Sequence, residues 1–178
     1  VDDMVKKPDD EQPKVGYVPD YHSIFQSLEW VGISLGEKEP YMLTNSLRNL
    51  VYNKNLTSAV FWGKIYGTKN DYYIAEVTGG EYPEAVNPEP DQEKRGEDGT
   101  NKNVYFVSTD LTGDWIELPD VRPSLMIAAR KIRYIFSGDL NKKICTNPHF
   151  PGKEIDYLRC QIARINHATY IVPNINSY

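Results

Sequence analysis

Four side chains in the last third of the chain could bind a metal ion: Cys145, His149, Cys160 and His167. Thiolate and imidazole are the ligands that zinc prefers, so together they would complete a tetrahedral site and support a metal-binding enzyme. Their spacings, however, match no common zinc-binding module. Two cysteines in 178 residues are too few for a disulfide framework, so we interpret both as reduced thiols and keep the metal-binding enzyme as an alternative.

Other groups that could take part in catalysis have simpler explanations in turns and loops. Asp110 and Asp114 flank a turn, where aspartate commonly bonds its own backbone instead of acting as a general acid or base. Residues 96–102 contain two glycines and a lysine, but without the spacing of a phosphate-binding loop. Because catalysis needs a convergent set of reactive groups, we predict a non-enzyme with no catalytic, cofactor-binding or metal-binding residue and no cofactor.

The net charge of -5 is concentrated in one part of the sequence. Residues 79–101 hold seven acidic residues against Lys94 and Arg95, and without them the chain is close to neutral. This balance gives no support for binding nucleic acid or an anionic membrane. No stretch approaches the roughly 18 to 20 apolar residues of a membrane span. The N-terminus is charged, so we expect a soluble, intracellular protein.

The periodicity of apolar residues predicts the elements that position these groups. Alternation with a period of two, interrupted by turn residues, predicts a β-hairpin at about 57–77. Residues 79–101, rich in acids, prolines and glycines, are expected to form a long solvated loop. Helical spacing predicts three helices, at about 22–33, 38–53 and 123–137.

The third predicted helix carries two arginines on its outer face. Its apolar stripe includes Ile132 and Ile135, whereas Arg130 and Arg133 lie outside that stripe. Gly138 stands where a C-terminal cap would be expected. The arginines form either a solvated face or a surface that binds a partner.

The segment 154–172 has a mixed pattern. Leu158, Ile162 and Ile165 have helical spacing, but the β-branched run at 168–172 is typical of a strand. We predict a long, bent strand. Together with shorter strands predicted near 102–108 and 115–118, this gives an α+β fold with a mostly antiparallel sheet and packed helices.

The N-terminal 20 residues combine prolines with many charges, a composition that buries too little apolar surface to offset the entropy of ordering. We predict a flexible charged tail at 1–20, followed by one domain at 21–178.

Five sequence blocks occur in the order of one known protein family. The first, at 61–76, places a Phe-Trp-Gly-Lys-Ile strand before an Asp-Tyr-Tyr strand. The others lie at 99–107, at 115–121 together with 128–133, at 150–154 and at 157–165. These blocks resemble the radial spoke head proteins of the 4/6 type.

The resemblance implies a structural scaffold subunit of the radial spoke head in the axoneme of cilia and flagella. Such a subunit would help transmit mechanical signals between the central pair and the dynein arms, without catalysis. The implied partners are other spoke-head subunits, including a paralogue or a second copy of the chain, and the central-pair apparatus contacted by the assembled head. Neither nucleic acid nor membrane is an expected partner. A cytosolic adaptor outside cilia is an alternative.

Some features depart from the family pattern. Members are longer, so the chain is either a fragment or a compact homologue. Arg122 stands where a threonine usually caps the helix that begins at Pro123, and arginine offers no acceptor for the free backbone amides. We therefore expect a weaker cap. Cys160 replaces a small residue, which a packed interior would accept.

A scaffold subunit docks through its surface, and Trp, Tyr and Arg dominate the energetics of interfaces. On that basis we predict six contact residues: Trp62, Tyr66, Tyr72, Trp115, Arg130 and Arg133.

Overall fold

A computed structural model describes residues 16–80, residue 95 and residues 99–168. This part of the chain has four helices and a four-stranded antiparallel sheet, which confirms the predicted α+β class. The helices are α1 (Tyr21–Glu29), α2 (Glu39–Lys54), α3 (Pro123–Lys131) and α4 (Glu154–Ala168). The strands are β1 (Ser58–Ile65), β2 (Tyr72–Thr78), β3 (Val104–Ser108) and β4 (Ile116–Glu117). None of the described helices is long and apolar enough to cross a membrane.

The predicted hairpin forms the start of the sheet, whose strand order is β1-β2-β3-β4. Its register runs from Ser58 opposite Thr78 to Ile65 opposite Tyr72. The register shifts between Phe61 and Gly63, which leaves the intervening residue as a β-bulge.

Both faces of the sheet are covered. Because side chains alternate along a strand, Tyr73 and Ala75 of β2 face α1 and α2, whereas Ile74 faces α4. A third apolar cluster joins α3 to α4 and includes the buried Cys160. The sheet is therefore a central layer between α1 and α2 on one side and α4 on the other.

The outer edge of β1 receives bonds from the chain that precedes α1. Tyr17 donates its N–H to the carbonyl of Thr57 (2.8 Å) and accepts from the N–H of Ala59 (3.1 Å). The N–H of Phe61 donates to the hydroxyl of Tyr21 at 2.6 Å. Tyr17, within the predicted tail, thus pairs with the sheet, and residues 1–15 lie outside the described residues.

The third helix ends earlier than predicted. It stops at Lys131, and Ile132 is already extended, with φ -116° and ψ 159°. The cause is a tertiary contact, because the next residues bond to the turn of the hairpin: Thr68 donates to the carbonyl of Phe136 (2.9 Å) and Lys69 to that of Ser137 (3.0 Å). The prediction of a helix to residue 137 was wrong.

The two residues predicted at the caps of α3 are Arg122 and Gly138. Arg122 makes no side-chain capping hydrogen bond at the start of the helix. Gly138 lies well beyond the helix and does not cap it. Its φ of 90° places it against the backbone of Asn70, where a Cβ would collide.

The C-terminal element is a helix, not the predicted bent strand. Leu158 and Ile162 are buried against the sheet at the spacing of one helical face. Asp156 accepts from the N–H of Lys153 at 2.8 Å at the start of the helix. The β-branched run at 169–172, which favoured a strand, lies outside the described residues, as does most of the predicted loop at 79–101.

Candidate interaction surface

The six predicted contact residues occupy three kinds of position. Tyr66, Arg130 and Arg133 are exposed, and Tyr66 has 71% of its surface accessible. Trp62 and Trp115 are half-buried. Tyr72 is buried completely.

The two tryptophans join elements of the fold through their indole nitrogens. Trp62 is the bulged residue of β1, and its Nε1–H donates to Oδ1 of Asn166 on α4 at 2.8 Å. Trp115 donates its Nε1–H to Oγ of Ser46 on α2 at the same distance. Each indole thus has an internal partner, and only part of each ring faces solvent.

Tyr72 is not on the surface. It lies on the face of β2 that packs against α4, and its hydroxyl donates to Oε1 of Glu154 at 2.8 Å. Burial, with the hydrogen bond to Glu154, raises the pKa of Tyr72 well above its ordinary value. The interface role predicted for it was wrong, because an aromatic residue in a central strand was taken for a surface residue.

Glu154 is a fully buried carboxylate with five donors. Its Oε1 accepts from the hydroxyl of Tyr72 and from the backbone N–H groups of Ser137 (2.7 Å) and Gly138 (3.0 Å). Its Oε2 accepts from the hydroxyls of Tyr134 (3.0 Å) and Ser137 (2.7 Å). Burial alone would raise the pKa of Glu154, but these hydrogen bonds outweigh it and lower the pKa. We call these five residues the Glu154 cluster.

A second polar group fixes the hairpin to α2. The ammonium of Lys64 lies 3.0 Å from Oε2 of Glu39 and 3.3 Å from Oδ2 of Asp71, and 4.8 Å from the ring centroid of Tyr73. Burial lowers the pKa of Lys64, but hydrogen bonding to Tyr73, Glu39 and Asp71 outweighs it and raises the pKa. Neither polar group was predicted from the sequence, although Lys64 and Glu154 each lie in a sequence block that resembles the family.

An open groove of about 890 Å³ lies beside β4. Arg95 lines this groove and pairs with two carboxylates. Its Nε lies 2.7 Å from Oδ1 of Asp120, and its Nη1 lies 2.6 Å from Oε1 of Glu117. Cys145 and His149 are also on the lining.

The four residues considered as zinc ligands do not form a site. Cys160 is buried beneath α3, where burial raises the pKa of its thiol to about 12, while Cys145 and His167 are exposed. Residues 16–80, 95 and 99–168, which include all four, contain no group of three or more His, Cys, Asp or Glu side chains able to hold a metal ion. The structure therefore gives no support to the tetrahedral zinc site considered for these four residues.

Among the exposed apolar side chains of the described residues, two groups lie close together in sequence. The first, here the α3 surface, consists of Ile127, Arg130, Lys131, Arg133 and Ile135, all exposed. Sequence reasoning found its arginines but placed Ile135 in the core, because it extended the helix too far.

The second surface, here the Trp30 turn, follows α1 and consists of Trp30, Val31 and Ile33. Trp30 has 92% of its surface accessible. The turn is nevertheless ordered, because the N–H groups of Val31 and Ile33 both donate to the carbonyl of Leu28, at 2.9 and 3.2 Å. An exposed tryptophan on a fixed backbone is typical of a docking surface.

Comparison with known proteins assigns the family. The model of the radial spokehead-like protein family matches residues 2–95 and 79–176, which together cover nearly the whole chain. The chain belongs to the radial spokehead-like protein family.

Several curated radial spokehead-like proteins are similar to the chain. Radial spoke head protein 6 homolog A of Xenopus tropicalis is 34% identical, over 88% of this chain and 36% of that protein. Radial spoke head protein 4 homolog A of Homo sapiens is 35% identical, over 82% of this chain and 25% of that protein. Flagellar radial spoke protein 4 of Chlamydomonas reinhardtii is 32% identical, over 83% of this chain and 36% of that protein. The chain thus spans about a third or less of the length of these relatives.

Proposed function

We propose that the chain is a structural scaffold subunit of the radial spoke head in the axoneme of cilia and flagella. The observation that carries this proposal is the similarity along most of the chain to proteins named as radial spoke head subunits. The family match over nearly all residues supports it further.

The architecture suits a part that bears load. Its sheet is packed on both faces, and the Glu154 cluster and Lys64 fix the turn end of the hairpin to α4 and α2. A block of this kind passes on a displacement instead of absorbing it, because close-packed interiors have low compressibility. On this proposal the subunit helps transmit mechanical signals between the central pair and the dynein arms.

The partners in this proposal are other spoke-head subunits, including a paralogue or a second copy, with the central-pair apparatus contacted by the assembled head. The Trp30 turn and the α3 surface are the two docking surfaces we assign. They replace Tyr72 among the predicted contacts and keep Arg130 and Arg133, while Tyr66 is a further exposed candidate.

The test is localisation of a tagged chain in a motile ciliated cell, combined with crosslinking mass spectrometry of isolated axonemes. We expect signal along the axoneme and crosslinks from Lys131 or Lys38 to spoke-head subunits. Diffuse cytosolic signal without such crosslinks would instead favour a cytosolic adaptor and overturn the proposal.

A further inference from the structure

The residues of the α3 surface lie close together in sequence, on α3 and on the segment that follows it. Ile127, Arg130 and Lys131 are three and four residues apart, so they share one face of α3. Arg133 and Ile135 follow in the extended segment, where alternate side chains point the same way. The residues between them, including Ile132, turn inward and pack in the third apolar cluster.

The cations of this surface are not neutralised by their surroundings. Arg130, Lys131 and Arg133 are exposed, and none of them forms a salt bridge with any residue that the structure describes. The sequence from Val121 to Gly138 contains four cations and no acidic residue. Three adjacent positive charges therefore stand free on a chain whose net charge is -5.

Large apolar side chains flank the charges. Ile127 is 57% exposed and Ile135 is 77% exposed, one at each end of the surface in sequence. Apolar side chains beside unneutralised charges offer a partner both apolar area to bury and charges to pair with.

From this geometry we propose that the α3 surface binds an acidic segment of a partner protein that also carries large apolar side chains. Carboxylates of that segment pair with Arg130, Lys131 and Arg133, and its apolar side chains cover Ile127 and Ile135. This inference deepens the proposed function, on which it rests, because it names the chemistry of the partner for one docking surface.

The observations favour a protein segment over other anions. A nucleic acid or an anionic membrane is held mainly by many phosphate contacts, whereas this surface offers three free cations on an acidic chain. Three cations are also fewer than the roughly four to eight that are typical of a lipid-binding cluster, and nucleic acid offers little apolar surface to cover the two isoleucines.

The test uses the purified chain and a short fluorescein-labelled peptide built from glutamate and leucine. We expect saturable binding by fluorescence anisotropy that weakens as salt rises, since the charge pairs are screened. Two matched peptides, with glutamine in place of glutamate or serine in place of leucine, should each bind at least about tenfold more weakly, which corresponds to roughly 1.4 kcal/mol.

Variants of the chain localise the binding. R130E/R133E should abolish it and I127S/I135S should weaken it several-fold. K38E/R48E makes the same change of charge at exposed positions on and beside α2 and should leave it unchanged. Since glutamate near the end of a helix is unfavourable, R130Q/R133Q serves as the second variant if circular dichroism shows that R130E/R133E is unfolded.

Two results would overturn the inference. One is equal binding of the glutamine peptide, or binding that the α3 substitutions do not change. The other is preferential binding, through Arg130 and Arg133, of phosphatidylserine vesicles or double-stranded DNA. Neither result bears on axonemal localisation, so a failure here can be told apart from a failure of the proposed function.

Discussion

The Glu154 cluster and the α3 surface are neighbours in sequence but treat charge in opposite ways. In the cluster, one carboxylate is withdrawn from water and every one of its bonds is made inside the protein. On the α3 surface, three cations are exposed and form no salt bridge with residues 16–80, 95 or 99–168. A buried charge that is completely hydrogen-bonded fixes one arrangement of the chain. An exposed, unneutralised charge adds little to folding and is available for association.

The strongest test of this difference is to remove the buried carboxylate. E154A leaves five donors without their acceptor, so we expect a loss of about 3 kcal/mol or more in the free energy of unfolding. Urea denaturation measures it, and E37A, which removes an exposed glutamate, should change it by less than about 0.5 kcal/mol. If E154A unfolds the chain outright, the milder E154Q gives the measurement. Equal stability of E154A and E37A would show that the buried carboxylate stabilises the fold no more than an exposed one does.

The pH dependence should also come from the buried group. Because the folded state lowers the pKa of Glu154 below its ordinary value of 4.5, its contribution is present above that pH and is lost as pH falls through the folded pKa. We therefore expect the difference in unfolding free energy between the wild type and E154Q to be larger at neutral pH than at about pH 3. A difference that did not change with pH would show that the charge of Glu154 is not what matters.

Substitution of Lys64 should cost less stability than loss of Glu154 and more than loss of the α3 arginines, since Lys64 is paired but only partly buried. K64M removes the bonds to Glu39 and Asp71, and we expect a loss of about 1 to 2 kcal/mol by urea denaturation. K69M, at an exposed position in the hairpin turn, is the matched control and should be nearly neutral. A K64M variant at least as stable as the wild type would mean that apolar packing replaces the ion pairs.

The smallest effect on folding is expected on the α3 surface. R130A/R133A should change the free energy of unfolding by no more than about 0.5 kcal/mol, because the two side chains are exposed and form no described salt bridge. The same variant should reduce crosslinking to spoke-head subunits in axonemes. A large loss of stability together with normal crosslinking would show that the two arginines act in folding and not in association.

Local patterns were enough to predict α2, the β-hairpin and the start of α1, although α1 ends at Glu29 and not at the predicted 33. The alternating run around Trp62 and Tyr72 and the leucine stripe of α2 depend on near neighbours in sequence. The same patterns identified Arg130 and Arg133 as outward-facing, and the structure confirms that they are exposed.

The predictions that were wrong concern features that depend on contacts between residues distant in sequence. The end of α3 is set by Thr68 and Lys69, more than sixty residues earlier, and not by its own propensity. Tyr72 and Glu154 are 82 positions apart, so nothing in the local pattern indicates that one buries the other. The helix at α4 was missed because the β-branched residues beyond it outweighed the spacing of Leu158 and Ile162.

The bonds from Tyr17 and Tyr21 to the border of β1 have a consequence for crowding. A bare strand border invites pairing with another molecule and so promotes aggregation. Here the carbonyl of Thr57 and the N–H groups of Ala59 and Phe61 are already occupied by the chain's own N-terminal residues. Many copies can therefore stand close together without their sheets fusing from one molecule to the next along this stretch.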